Sequence, residues 1–134
     1  MTKEQKFELL MIAYNNAFAK YSNFQVGALV ITKDGKYFIG SNIENASYGL
    51  ANCAERSALF SAYSNGIRKD DIEELAIIGK GKDFLYPCGA CRQVIAELME
   101  PNAKVTLFKL TGETKEHIVS DLLPFAFDES DLDA

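Results

Sequence analysis

The chain has 134 residues with a formal net charge of −5; 48% of its residues are hydrophobic and 25% charged. That length suits one domain, 1–134, with a core that forms without cross-links. The acidic balance, the lack of any Lys/Arg run and the lack of a bilayer-length apolar stretch argue against nucleic-acid and membrane partners.

The N-terminus, "MTKEQKFELLMIAY", has Glu8 inside its only apolar stretch and no small-residue cleavage site, so a cytoplasmic location is expected. Thr2 and Gln5 can form a capping box, and Phe7, Leu10, Met11, Tyr14, Phe18 and Tyr21 follow helical spacing, which predicts an amphipathic helix over 3–19. "FQVGALVI" (24–31) and "KYFIG" (36–40) read as strands joined by a hairpin turn at Asp34-Gly35. The polar loop "SNIENASYG" leads to "CAERSALFSAY", where Ala54, Ala58, Leu59 and Ala62 share a helical face. "ELAIIG" (74–79) reads as a buried strand, and "CRQVIAELM" as a helix that stops before Pro101. "KVTLFKL" and "KEHIVS" form a second hairpin around Thr111-Gly112. Strands alternating with helices predict right-handed crossovers and a sheet that is parallel in its middle. The fold class expected is α/β, a three-layer α/β/α arrangement on a mixed, roughly five-stranded sheet. The acidic end from about 128, "DESDLDA", reads as a loose tail or a surface cover.

Chemistry concentrates at three cysteines, Cys53, Cys88 and Cys91, each at or near a predicted helix start. There the free N–H groups and the helix dipole favour a thiolate. Cys88 and Cys91, three apart, lie on one helix face and can share an ion; Cys53 can supply a third soft ligand, a set that suits zinc. A structural zinc wants four protein ligands, yet no fourth cysteine exists. The sole histidine, His117, falls in the predicted last strand, away from both helix starts. Three ligands leave one position for a water, whose pKa bound zinc lowers to about 7. Glu55, two residues past Cys53, is placed to act on that water's proton, and Arg56 to offset the charge of the sulfurs. Each piece alone has a plainer reading. A lone CxxC is a weak signal, open to reading as a redox pair, which would need neither Cys53 nor Glu55, or as two incidental cysteines; Glu55 alone reads as a solvated helix glutamate and Arg56 alone as a surface charge. Together, C-x-E followed by P-C-x-x-C is the zinc-deaminase signature in its all-cysteine form.

"YSNFQVGA", "GSNIENASYG", "CAERSA", "PCGACRQ" and "LLPFAF", in that order and spacing, resemble the short, homotetrameric, zinc-dependent cytidine deaminases over roughly 7–127. The resemblance implies Zn²⁺ on Cys53, Cys88 and Cys91, with Glu55 as proton shuttle. It implies a small-molecule nucleoside substrate, cytidine or 2'-deoxycytidine, hydrolysed at C4 to the uridine product and ammonia, as in pyrimidine salvage. Phe24 would stack on the pyrimidine, and Asn42 and Glu44 would grip a ribose hydroxyl. An amide and a carboxylate on one side of an extended segment can donate to and accept from one OH. Ala54 is implied as a further substrate contact. Ala46, Tyr48 and Phe127 match positions that reach a neighbouring subunit's pocket, so a homotetramer is expected. Phe125 stands where relatives often carry a small residue, which leaves open whether it or Phe127 closes over the base. Two alternatives stand beside this: a deaminase of a nucleoside-like antibiotic of the blasticidin S type, and a structural zinc-binding interaction module.

Overall fold

The computed structural model describes residues 1–132. Helix α1 (Lys3–Asn15) opens on the expected capping box: the Thr2 hydroxyl accepts from the Gln5 N–H and the Gln5 side chain accepts from the Thr2 N–H. The helix ends four residues earlier than its apolar spacing predicts. The Phe18 N–H donates to the Asn42 carbonyl and the Glu44 N–H to the Phe18 carbonyl, 2.9 Å each. Long-range backbone pairing thus takes Phe18 out of the helix, and Phe18 and Tyr21 sit exposed in the following loop.

Strands β1 (Val26–Thr32), β2 (Tyr37–Ser41), β3 (Ile72–Gly79), β4 (Lys104–Lys109) and β5 (Thr114–Ile118) form one sheet in the order β2-β1-β3-β4-β5. Only β3 and β4 pair in parallel; the other three pairings are antiparallel. The parallel middle expected from alternating strands and helices is therefore a single strand pair. The crossover through α2 (Ala54–Ser64) joins β2 to β3 past β1, so its two strands run the same way without touching. Helix α3 (Gly89–Leu98) makes the adjacent parallel connection from β3 to β4. Both hairpin turns lie where Asp34-Gly35 and Thr111-Gly112 predicted them. A short helix, α4 (Val119–Leu122), follows β5 directly, so Val119 and Ser120, expected at the end of the last strand, instead open a helix.

Period-two alternation sorts the strands' side chains to two faces. Ala28, Val30, Leu75, Ile77, Val105 and Leu107 pack with Ala54, Ala58, Leu59 and Ala62 of α2 and Ile95 of α3. Leu29, Ile31, Ala76, Ile78 and Phe108 pack with Leu10 and Tyr14 of α1. The layers are α/β/α, as expected. On the α1 face a buried polar set joins helix to sheet: Lys6 pairs with Glu74 at 2.7 Å, and the Thr106 hydroxyl donates to the other Glu74 oxygen at 2.6 Å.

Two glycines set how closely the helices approach. A Cβ on Gly27 would lie 2.6 Å from the Leu10 carbonyl of α1, and one on Gly40 would lie 2.5 Å from the Ala54 carbonyl and overlap the Ala58 nitrogen of α2. Backbone therefore meets backbone where α2 begins. Because β2 and β3 run in the same direction, the starts of α2 and α3 lie over the same end of the sheet, the end where α/β sheets place ligands.

Candidate active site

Cys53 is the N-cap residue of α2 and Cys88 that of α3; neither makes a side-chain capping hydrogen bond. Cys91 sits one turn into α3 and is fully buried. The three sulfurs lie within 4.8 Å of one another. The two helix starts expected to be neighbours are neighbours, and no other His, Cys, Asp or Glu joins the cluster among the described residues. Arg56 Nη2 donates to the Cys53 sulfur at 3.3 Å, and Arg56 Nε, also buried, has no hydrogen-bond partner among the described residues.

The electrostatics follow from this crowding. A hydrogen bond from Cys91 chiefly, with Arg56 assisting, holds the Cys53 thiol down to about 5 despite its burial. Donating that bond pushes the Cys91 thiol up, and burial adds to the rise. Contact with the Cys53 sulfur raises the Arg56 guanidinium further above its ordinary value. Glu55, only 6% exposed, is raised from the usual carboxylate range by burial. The donor set fits zinc: three soft sulfurs in mutual reach, a guanidinium beside them to offset thiolate charge, and a buried N–H still seeking an acceptor. Three protein ligands leave a tetrahedral ion one open position.

A second group of predicted residues gathers beside the first through backbone pairing. Ile43 and Asn52 exchange two hydrogen bonds, of 3.0 and 2.9 Å, so the segment carrying Asn42 and Glu44 runs alongside the residue that precedes Cys53. The Asn42 amide is a clamp on the neighbouring strand start: its oxygen accepts from the Val26 N–H at 2.9 Å and its nitrogen donates to the Phe24 carbonyl at 2.8 Å. The Glu44 carboxylate accepts from the Tyr21 N–H, the Ser22 N–H and the Ser22 hydroxyl, and the last of these chiefly holds its pKa below the usual range. Phe24 is partly exposed, Ala46 and Tyr48 are exposed, and Ala54 is wholly buried beneath the site in the core. A pocket of about 260 Å³ opens between Tyr21, Ser22, Glu44, Asn45, Tyr48 and Ala51.

Phe125 and Phe127 both face outward; Phe125 is completely exposed and takes the left-handed backbone conformation (φ 56°). Gln93, which the sequence left without a role, donates to the Phe127 carbonyl at 2.8 Å and so ties the C-terminal segment to α3. Arg92 reaches the Pro87 carbonyl, next to Cys88, and the Leu122 carbonyl. His117 lies in β5 as expected and outside the sulfur cluster, but its ring meets the Tyr86 hydroxyl at 2.9 Å, two residues before Cys88. Ser22, Arg92 and Gln93 act through partners 22 to 34 residues away, a separation that no local spacing signals.

Known proteins resemble this chain in sequence and fold. The family described as the cytidine and deoxycytidylate deaminase zinc-binding region matches residues 1–107. The chain is 48% identical to a cytidine deaminase of Halalkalibacterium halodurans over 132 residues, 98% of each chain. It is 44% identical to that of Sporosarcina psychrophila over 120 residues, 90% of this chain and 87% of the relative. The crystal structure of cytidine deaminase from Burkholderia pseudomallei superposes with a TM-score of 0.91 at 48% identity, covering 95% of this chain and all of that one. With the sulfur cluster, the fold and the sequence in agreement, this chain belongs to the cytidine and deoxycytidylate deaminase family.

Proposed function

We propose that the protein hydrolyses cytidine and 2'-deoxycytidine to uridine and 2'-deoxyuridine, releasing ammonia. One observation carries the reading: three cysteine sulfurs clustered at two helix starts, with the buried Glu55 two residues from one of them and no fourth ligand among the described residues. Cys53, Cys88 and Cys91 would hold Zn²⁺, which supplies Lewis acidity and makes a water nucleophilic at neutral pH.

The remaining work falls to the chain. Glu55 takes one proton of the attacking water and delivers it to the pyrimidine ring nitrogen as the C4–O bond forms; it then takes the proton of the new C4 hydroxyl and passes it to the amine, which leaves as ammonia when the C4–N bond breaks and the C4 carbonyl forms. Burial raises its pKa from the usual carboxylate range, the direction that strengthens it as a base toward the attacking water. Arg56 offsets the charge of the sulfurs. Phe24 stacks on the base, and Asn42 and Glu44 receive a sugar hydroxyl. Ala54 shapes the floor where α2 begins.

The chain acts as a single domain, as a homotetramer in the cytoplasm, in pyrimidine salvage. Exposure of Tyr48 (79%), Leu50 (72%) and Phe127 (58%) supports the assembly, since large apolar side chains left bare around a site are suited to cover from a neighbouring copy. Ala46, Tyr48 and Phe127 then complete a neighbour's pocket. The net charge of −5 favours a small nucleoside over a nucleic acid as partner; among the described residues no helix is long and apolar enough to cross a membrane. Ammonia release from cytidine by the zinc-loaded protein tests the reading; a loaded protein that releases none would overturn it.

A further inference from the structure

The loop between α1 and β1 holds Glu44 from below. Oε1 of Glu44 accepts from two backbone donors, Tyr21 N at 2.9 Å and Ser22 N at 3.1 Å. Oε2 accepts from the Ser22 hydroxyl, and that same hydroxyl accepts from the Phe24 N–H at 3.0 Å. Asn23, between them, adopts a left-handed conformation (φ 58°) that asparagine tolerates better than most residues, and this turns the chain so that Ser22 and Phe24 can meet.

Counting lone pairs gives the consequence. A carboxylate oxygen has about two acceptor sites. The two N–H groups fill those of Oε1, and the Ser22 hydroxyl takes one of Oε2, so one acceptor direction remains. It belongs to a carboxylate that lines the 260 Å³ pocket. We infer that Ser22 is a positioning residue for substrate selection: its hydroxyl fixes the direction in which Glu44 accepts a sugar hydroxyl and links that carboxylate to the backbone of Phe24. The inference rests on the assignment of Glu44 to a sugar hydroxyl. A Ser22 that only supported the loop would affect every nucleoside alike; one that aims Glu44 affects the nucleoside bearing the matched hydroxyl most.

The experiment measures ammonia release from cytidine, 2'-deoxycytidine and 3'-deoxycytidine by the zinc-loaded full chain, as wild type, Ser22→Ala and Ser22→Thr. The wild type should discriminate in kcat/KM against at least one of the deoxy analogues. Ser22→Ala should shrink that discrimination about tenfold, chiefly through a higher KM for the nucleosides that keep the hydroxyl. Ser22→Thr, which retains an O–H, should restore it. Ser22 is exposed, so the variants should fold; Ser22→Gly serves as a second hydroxyl deletion with the same expectation. Undiminished discrimination in Ser22→Ala or Ser22→Gly, or an equal loss on all three nucleosides, would overturn the inference while leaving Glu44 in place. A wild type that turns over all three alike would remove the Glu44 assignment and this inference with it.

Discussion

The two ends of the proposed site, the sulfur cluster that would hold the metal and the rim assigned to the nucleoside, are built by different physics. At the metal end, Cys91 and Glu55 are buried, and all three cysteines are carried on helix starts that packing against the sheet holds in place. At the rim, Phe24, Asn42 and Glu44 sit on partly exposed loop and strand-end segments, placed by hydrogen bonds between stretches far apart in sequence. A packed end is rigid because moving it opens a cavity. A hydrogen-bonded rim costs little to disturb, since each such bond contributes only about 1 kcal/mol net. Damage at the first should abolish chemistry, and damage at the second should change which substrate is handled and how well.

The largest effect expected is from the triple variant Cys53→Ala/Cys88→Ala/Cys91→Ala. Purified wild type should carry close to one zinc per chain by metal analysis, and the variant none, with no ammonia release. Retention of zinc in the triple variant would refute the cysteine site.

Glu55→Gln separates metal from chemistry inside the metal end. The amide keeps the carboxylate's size but shuttles no proton. Zinc content and nucleoside affinity should stay near wild type while turnover falls roughly 10²–10⁴-fold. Loss of zinc would make Glu55 a structural support, and near-normal turnover would remove it from the mechanism.

A rim residue should do less. Glu44→Ala should reduce kcat/KM for cytidine about thirtyfold with zinc retained, the scale expected for a lost polar partner, and free cytosine should be a poor substrate of the wild type. Equal turnover of cytosine and cytidine would show that the rim does not read the sugar.

The smallest catalytic effect is expected from the opposite face of the sheet. Lys6→Met strands the Glu74 carboxylate with only the Thr106 hydroxyl for company. Stability to urea should drop by roughly 2 kcal/mol, less than the roughly 3–5 kcal/mol of a fully buried pair because Lys6 keeps some solvent contact. Turnover per folded, zinc-loaded chain should be unchanged; a specific loss of activity would mean that the two faces are coupled through the sheet.

The same contrast explains what could be read from one sequence. Cys88 and Cys91 stand three apart at the start of α3, as do Cys53 and Arg56 at the start of α2, spacings that helix geometry turns into proximity and so makes legible; that Cys53 meets the pair followed from both groups opening helices over one end of the sheet. The α2 face of Ala54, Ala58, Leu59 and Ala62 was legible for the same reason. Helix α1 was overextended to residue 19 because Phe18 keeps helical spacing, and nothing local reports that its backbone pairs with Asn42 and Glu44. The parallel middle was legible as the β3–β4 pair, but its extent was not, because a crossover tells that two strands run the same way and not that β1 lies between them. The bonds of Ser22 to Glu44 and of Gln93 to the Phe127 carbonyl were illegible, since a hydroxyl or an amide declares no partner until the chain has folded.

Chain length cannot drift equally in every part of this molecule. The Ile43–Asn52 bridge closes a loop whose two ends carry Glu44 on one side and lead into Cys53 on the other. An added residue between 52 and 53 would push the start of α2 along by up to about 3.3 Å, as much as the whole reach of a proton-transfer hydrogen bond. Lengthening the loop within 45–51 would leave the bridge closed at a modest entropic cost, because its ends are already pinned to each other. An insertion at the Asp34–Gly35 turn thus leaves the spacing between Glu44 and Cys53 as it is, one within 45–51 keeps that spacing but displaces Tyr48 and Ala51 from the pocket wall, and a single residue after Asn52 resets the spacing itself.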